Sequence, residues 1–200
     1  MVKRTGHWFF LYFLSGWITV GEIVKHKPVL LIAAVTSRYL AALDWTIEKT
    51  SEAWGEVVLR SPVFDFTETS FYTESMGTDL KKQFIAFDRL LDPCDLPATK
   101  HQSNQWEESY SKYAQTDEVR PLNIDSGYIS EAKLVLATTK DRDHRIYLSD
   151  GIFAEVTLHF RAKQWTSSRW TYPDYQREDF QEFFTKCRNL LRERIKKLPR

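Results

Sequence analysis

The sequence predicts a single α+β domain: a mixed sheet opened by a β-α-β crossover, extended by an antiparallel hairpin and covered by helices. Three observations lead there. Pro28 to Val35 is a continuous apolar run, the pattern of a strand buried on both faces. A helical stripe and a second short strand follow it directly. Further on, apolar and polar residues alternate on both sides of Ser149-Asp150-Gly151, which is a hairpin signal.

The elements follow in order. After the first strand, Thr36-Ser37 offers an N-cap, and Leu40, Leu43, Ile47 and Trp54 lie on one helical stripe that ends at Gly55. Glu56 to Arg60 reads as a second strand, stopped by Ser61-Pro62, and the unit predicts a right-handed crossover with parallel strands. No Gly-rich loop precedes Ser37, so dinucleotide and P-loop binding find no support. Leu80, Phe84, Phe87 and Leu91 predict a helix that stops at Asp92-Pro93, with Lys81, Lys82 and Arg89 on its solvated face. Trp106, Tyr110 and Tyr113 predict another helix after Asn104, and 115–120 a surface loop. The stretch 130–139 reads equally as a short helix capped by Ser130 or as a buried strand, because a short apolar run carries too few periods.

In the hairpin, a three-residue loop keeps the apolar face intact. It sets Leu148 opposite Ile152, Ile146 opposite Ala154, Tyr147 opposite Phe153 and Arg145 opposite Glu155, with Gly151 left-handed. Trp165, Trp170, Tyr172 and Tyr175 then make an aromatic segment expected to pack as a lid on the sheet. Phe180, Phe184, Cys187 and Leu191 form the stripe of a last helix, whose end is rich in Arg and Lys.

Composition sets limits. With 42% hydrophobic residues the 200-residue chain can bury one core. A net charge of +1 provides no global field toward nucleic acid. Cys94 and Cys187 are far apart and in no metal-like spacing, which suits a reduced, cytoplasmic compartment. The apolar run 8–20 is shorter than the roughly 20 residues a spanning helix requires. Residues 1–19 are therefore expected to be a mis-assigned start or a short apolar extension, membrane-associated if translated, with the domain covering 20–200.

Several stretches together resemble the domain of unknown function 4416 family, a group of bacterial proteins. They are Lys27-Pro28-Val29, Asn123 to Tyr128, Lys133 to Lys140, His144 to Leu148, Gly151 to Leu158 and Trp170 to Tyr175. The family tends to carry Asp-Pro-Gly-Tyr where this chain has Asp125-Ser126-Gly127-Tyr128. The resemblance covers nearly everything from about Gly21 onward. It implies a start near Gly21 and no particular activity or cofactor.

Two functional classes follow from the residues. In the first, the polar cluster 123–157 binds or turns over a phosphate-bearing or other anionic small molecule. Lys133, Lys140, Arg145 and His144 would hold the anion, with Arg supplying a planar fork that Lys lacks. Glu155, Asp125 and His144 would be the acid/base groups, and Tyr128, Thr138 and Thr139 hydrogen-bond donors. In the second, the protein is a non-catalytic interaction or regulatory module whose partner surface is the aromatic segment 165–175. Convergence of the charges in one concave pocket favours the first, and scatter over a convex surface favours the second. A metal reading on Asp141, Asp143, His144 and His159 is weaker, since such a sequence is usually a charged turn. There is no nucleophile elbow for a hydrolase.

Overall fold

The computed structural model describes Gly21 and residues 23–198 of the chain. The expectation about residues 1–19 lies outside the described residues. Among those described, nine strands and four α-helices build one sheet with helices on both faces.

The element order is β1 (Val29–Ser37), α1 (Leu40–Trp54), β2 (Val57–Arg60), β3 (Phe64–Asp65), α2 (Thr73–Met76), β4 (Lys81–Leu91), α3 (Leu96–Tyr113), β5 (Asn123–Ile129), β6 (Lys133–Thr138), β7 (Ile146–Ser149), β8 (Ile152–Arg161), β9 (Gln164–Ser167) and α4 (Glu178–Lys197). Along the sheet the strands run β2-β4-β1-β5-β6-β8-β7; β3 adds to β4 and β9 to β8. Every pairing among them is antiparallel. β1 and β2 both pair antiparallel with β4, so they run in one direction with β4 between them. β4 and β5 likewise flank β1, which makes two interleaved, split β-α-β units.

β1 is buried along its whole length, as its apolar run demands. Its alternate residues serve two cores. Leu31, Ala33 and Val35 pack under α1 and α3 with Leu43, Ile47, Trp54, Trp106 and Tyr110. Leu30, Ile32 and Ala34 pack under α4 with Phe180, Phe183, Phe184, Cys187 and Leu191. The predicted stripe of α4 is thus the core side of that helix, each such side chain contributing about 1.5–3 kcal/mol.

The segment 80–91 is a correction: Lys81–Leu91 is strand β4, not a helix. Leu80, Phe84, Phe87 and Leu91 fit a helical period, but Phe84-Ile85-Ala86-Phe87 is also an unbroken apolar run, and its central place between β2 and β1 buries both sides. The change of period moves Lys82 onto the face of Phe84 and Ala86. There it is 5% exposed, so it does not lie on a solvated face.

The stretch 130–139 contains strand β6, which pairs with β5 and β8. In the hairpin, Ile146 faces Ala154 and Tyr147 faces Phe153 as the sequence predicts. The loop is shorter than predicted. Ser149 faces Ile152 across the two-residue turn Asp150-Gly151, both at positive φ, and the extra residue is absorbed as a bulge at Leu148. Ile146, Tyr147 and Leu148 are exposed because β7 is the edge of the sheet, so burial there does not fix the register. The aromatic segment does pack on the sheet: the Trp170 indole donates to the Val156 carbonyl and Thr171 to that of Thr157, and Trp165 and Tyr175 join the α4 core.

Candidate functional site

The pairing of β5 with β6 covers only Gly127–Ile129 against Leu134–Leu136. Gly127 permits this contact, because a Cβ there would lie 2.4 Å from the Val135 carbonyl oxygen. Before it, the first residues of β5 pair with β1 alone, and Ala137 and Thr138 of β6 pair with β8 alone. The sheet therefore splays open. Two side chains of α3 occupy the vacated edge of Ile124: Glu107 accepts its N–H at 2.8 Å and the Lys100 ammonium donates to its carbonyl at 3.0 Å.

A cavity of about 340 Å³ fills this splay on the α4 side. Its walls come from the β3–α2 connection, from β4, from α3 through Lys100 and Asn104, from β5, from the end of β6, from β8, and from the turn at 172–175. Among the described residues no helix is long and apolar enough to cross a membrane, and no three His, Cys, Asp or Glu side chains are grouped to hold a metal ion. The last point applies to Asp141, Asp143, His144 and His159; His159 sits apart, hydrogen-bonded to Ser168.

Six of the residues assigned to the polar cluster from the sequence line this cavity: Asp125, Thr138, Thr139, Lys140, Arg145 and Glu155. Asp125 lies low in the cavity. Its side chain keeps 31% of its surface and lines the cavity. Burial pushes its carboxyl up, but Lys100, the Asn123 amide, Lys82 and Arg120 together outweigh burial and hold it below the ordinary carboxylate range. Asn123 donates to Asp125 at 2.8 Å and itself accepts from Arg120, which chelates Glu107 at 2.6 and 3.1 Å. At the far end of this chain, burial wins and raises the Glu107 carboxyl. One network thus shifts two carboxyls in opposite directions, and the one that lines the cavity is the one lowered.

Glu155 and Arg145 form an ion pair at 2.9 Å with side chains only 5% and 6% exposed. The guanidinium also donates to the Lys140 carbonyl at 3.0 Å. Its fork is thus already engaged, and it ties the 140–145 loop to β8. His144 stands behind Glu155 and is not a cavity wall. Its two ring nitrogens lie 3.1 Å from Glu155 and 3.0 Å from Asp143, and its ring stacks on Trp170 at 5.3 Å. A neutral ring can donate to only one of those carboxylates.

The structure does not bring Lys133 or Tyr128 to the cavity. Lys133 starts β6 opposite His159. Tyr128 packs with Leu96, Val135 and Ile152 on the α3 side, where burial raises its phenol.

Several cavity residues escape the sequence reading. Lys82 bridges to Asp174 at 2.5 Å, both nearly inaccessible, with its ammonium 3.8 Å from the centre of the Phe66 ring. Removing one partner of such a pair typically costs about 3–5 kcal/mol. The strand period would have disclosed it, since Lys82 alternates with Phe84 on a buried face. Lys100 and Arg120 carry no local signal, because only the splay brings them in. Tyr175 is 4% exposed, and its hydroxyl has no hydrogen-bond partner among the described residues. Burial first, then Asp174 and Asp125, raise that phenol far above its ordinary range, so it remains a donor.

Comparison with known proteins matches residues 27–191 to the family described as Domain of unknown function (DUF4416). The chain belongs to this family. In this DUF4416 protein the match spans every strand of the sheet and all but the last turns of α4. No curated protein and no solved structure matches the chain.

Proposed function

We propose that this DUF4416 domain binds, or acts on, a small molecule bearing an anionic group, held in the cavity between β5 and β6. One observation carries this reading: Lys82, Lys100 and Arg120, together with Lys140 and Arg145 of one loop, converge on a single concave site that Tyr175 also lines, its hydroxyl without a hydrogen-bond partner among the described residues. A buried donor without an acceptor is costly, and a ligand oxygen would supply the acceptor. Lys100 and Lys82 line the same cavity with spare N–H groups, since each meets fewer oxygens than an ammonium can serve.

Roles divide by position. Lys82, Lys100 and Tyr175 form the anion seat, with Thr138 and Lys140 nearer the mouth. Asp125, ionised and open to the cavity, is placed to take a proton or to orient a hydroxyl. Glu155, Arg145 and His144 brace the wall that carries Lys140. The interaction-module reading has less to stand on. Of the aromatic segment, Trp165 and Tyr175 are core residues and Trp170 is hydrogen-bonded to the sheet.

The test is a thermal-shift and calorimetric screen of inorganic phosphate, sugar phosphates and small carboxylates. A ligand at 100 times its Kd should add about 2.7 kcal/mol of stability. Lys100→Met should weaken binding of the best compound at least about tenfold, roughly 1.4 kcal/mol. Stabilisation by no anionic compound, or an unchanged Kd in Lys100→Met, overturns the proposal.

A further inference from the structure

The cavity is ordered from floor to mouth. Its buried lining includes Lys82, Lys100 and Tyr175, with Asp125 beside Lys100. At its mouth stand two exposed aromatic side chains from unrelated segments: Phe71, 67% exposed, from the β3–α2 connection, and Tyr172, 54% exposed, from the turn before α4. Tyr72 continues the first wall inward, its ring edge-on to Phe71 at 5.1 Å, and the Lys140 ammonium lies 4.7 Å from the Phe71 ring centre. Among the described residues most aromatic rings are packed in the two cores. A single exposed ring needs no explanation. Two at the rim of one charged cavity do, because each leaves more than half of its surface uncovered. The volume of about 340 Å³ is at the small end of ligand cavities, room for one ring system and one anionic group.

We infer that the ligand joins a flat ring to its anionic group, as a nucleoside monophosphate does, with the ring stacked at the Phe71–Tyr172 mouth and the anion seated on the floor. This rests on the anion-binding reading above and adds the ring to it. Stacking of a base on an aromatic side chain is favourable and tolerates different bases, so the mouth selects for ring planarity before base identity. The Lys140 ammonium beside Phe71 sits where the ligand turns from ring to anion.

The experiment is calorimetric titration of the full chain with four nucleoside monophosphates (AMP, GMP, CMP and UMP), with ribose 5-phosphate, which keeps the anion and lacks the ring, and with adenosine, which does the reverse. The tightest monophosphate should bind at least about tenfold more tightly than ribose 5-phosphate, roughly 1.4 kcal/mol. The double variant Phe71→Ala/Tyr172→Ala should lose that advantage while binding ribose 5-phosphate as the parent does, which also shows that it folds. Phe71→Leu, which keeps apolar bulk and removes the flat face, should lose most of it alone. If ribose 5-phosphate binds as tightly as every monophosphate, or the variants retain the preference, the ring inference falls and the anion reading stands. If adenosine binds as tightly as AMP, the anion reading falls instead. If none of the probes binds, both fall.

Discussion

Asp125 shows how position decides the state of a side chain. The same carboxylate on an exposed loop would titrate ordinarily; here Lys100, Asn123, Lys82 and Arg120 overcome its burial. Its folded pKa lies below the ordinary 3.8, so ionised Asp125 stabilises the fold at pH values above the unfolded pKa, and that contribution disappears as pH falls through the folded pKa. The stability difference between the parent and Asp125→Asn, from urea unfolding, should therefore be constant near neutrality and shrink as the pH is lowered below about 4. A difference that grows on acidification would mean that Asp125 is not held ionised. Residues of this kind were partly legible in the sequence. Asp125, Lys140, Arg145 and Glu155 lie close together along the chain, so their proximity in space required little folding to foresee. Lys82 and Lys100 lie far upstream and reach the site only through the order of the strands.

Elements were legible where the hydrophobic period was unambiguous. The unbroken run of β1 and the stripes of α1 and α4 left one reading each. In 80–91 both periods fit, and only the burial of β4 between two neighbours chose the strand. The hairpin was legible in its pairing and not in its turn, because the outer strand β7 has an exposed face that imposes no register. Its Asp150-Gly151 turn places both residues at positive φ, 52° and 76°. A Cβ at Gly151 would meet nothing within 4 Å, so the requirement there is conformational alone. Gly151→Val should cost about 1–2 kcal/mol and Gly151→Asn clearly less, since Asn tolerates the left-handed region. Equal melting temperatures for the two variants would show that backbone conformation does not control this turn.

Across the whole molecule, the interleaved β-α-β units and the β6–β8 extension meet along a partial seam, and the cavity exists because the seam is incomplete. The sequence announces no such opening, since an unpaired strand edge has no composition of its own. Along the first part of β5 a helix does the work of the missing strand, with a carboxylate and an ammonium standing in for a carbonyl and an amide. Backbone groups paired within the ladders are protected from solvent by other backbone, which a substitution cannot delete. The amide of Ile124 is protected by a side chain, which a substitution can. In Glu107→Ala the Ile124 amide should exchange with deuterium at least about tenfold faster relative to the amides of Ile32 and Ala34 than it does in the parent, and exchange in step with β1 would count against the helix as a surrogate strand. The boundary between the two halves of the sheet is thus written in side chains, where mutation can shift it one residue at a time while the ladders on either side stay intact.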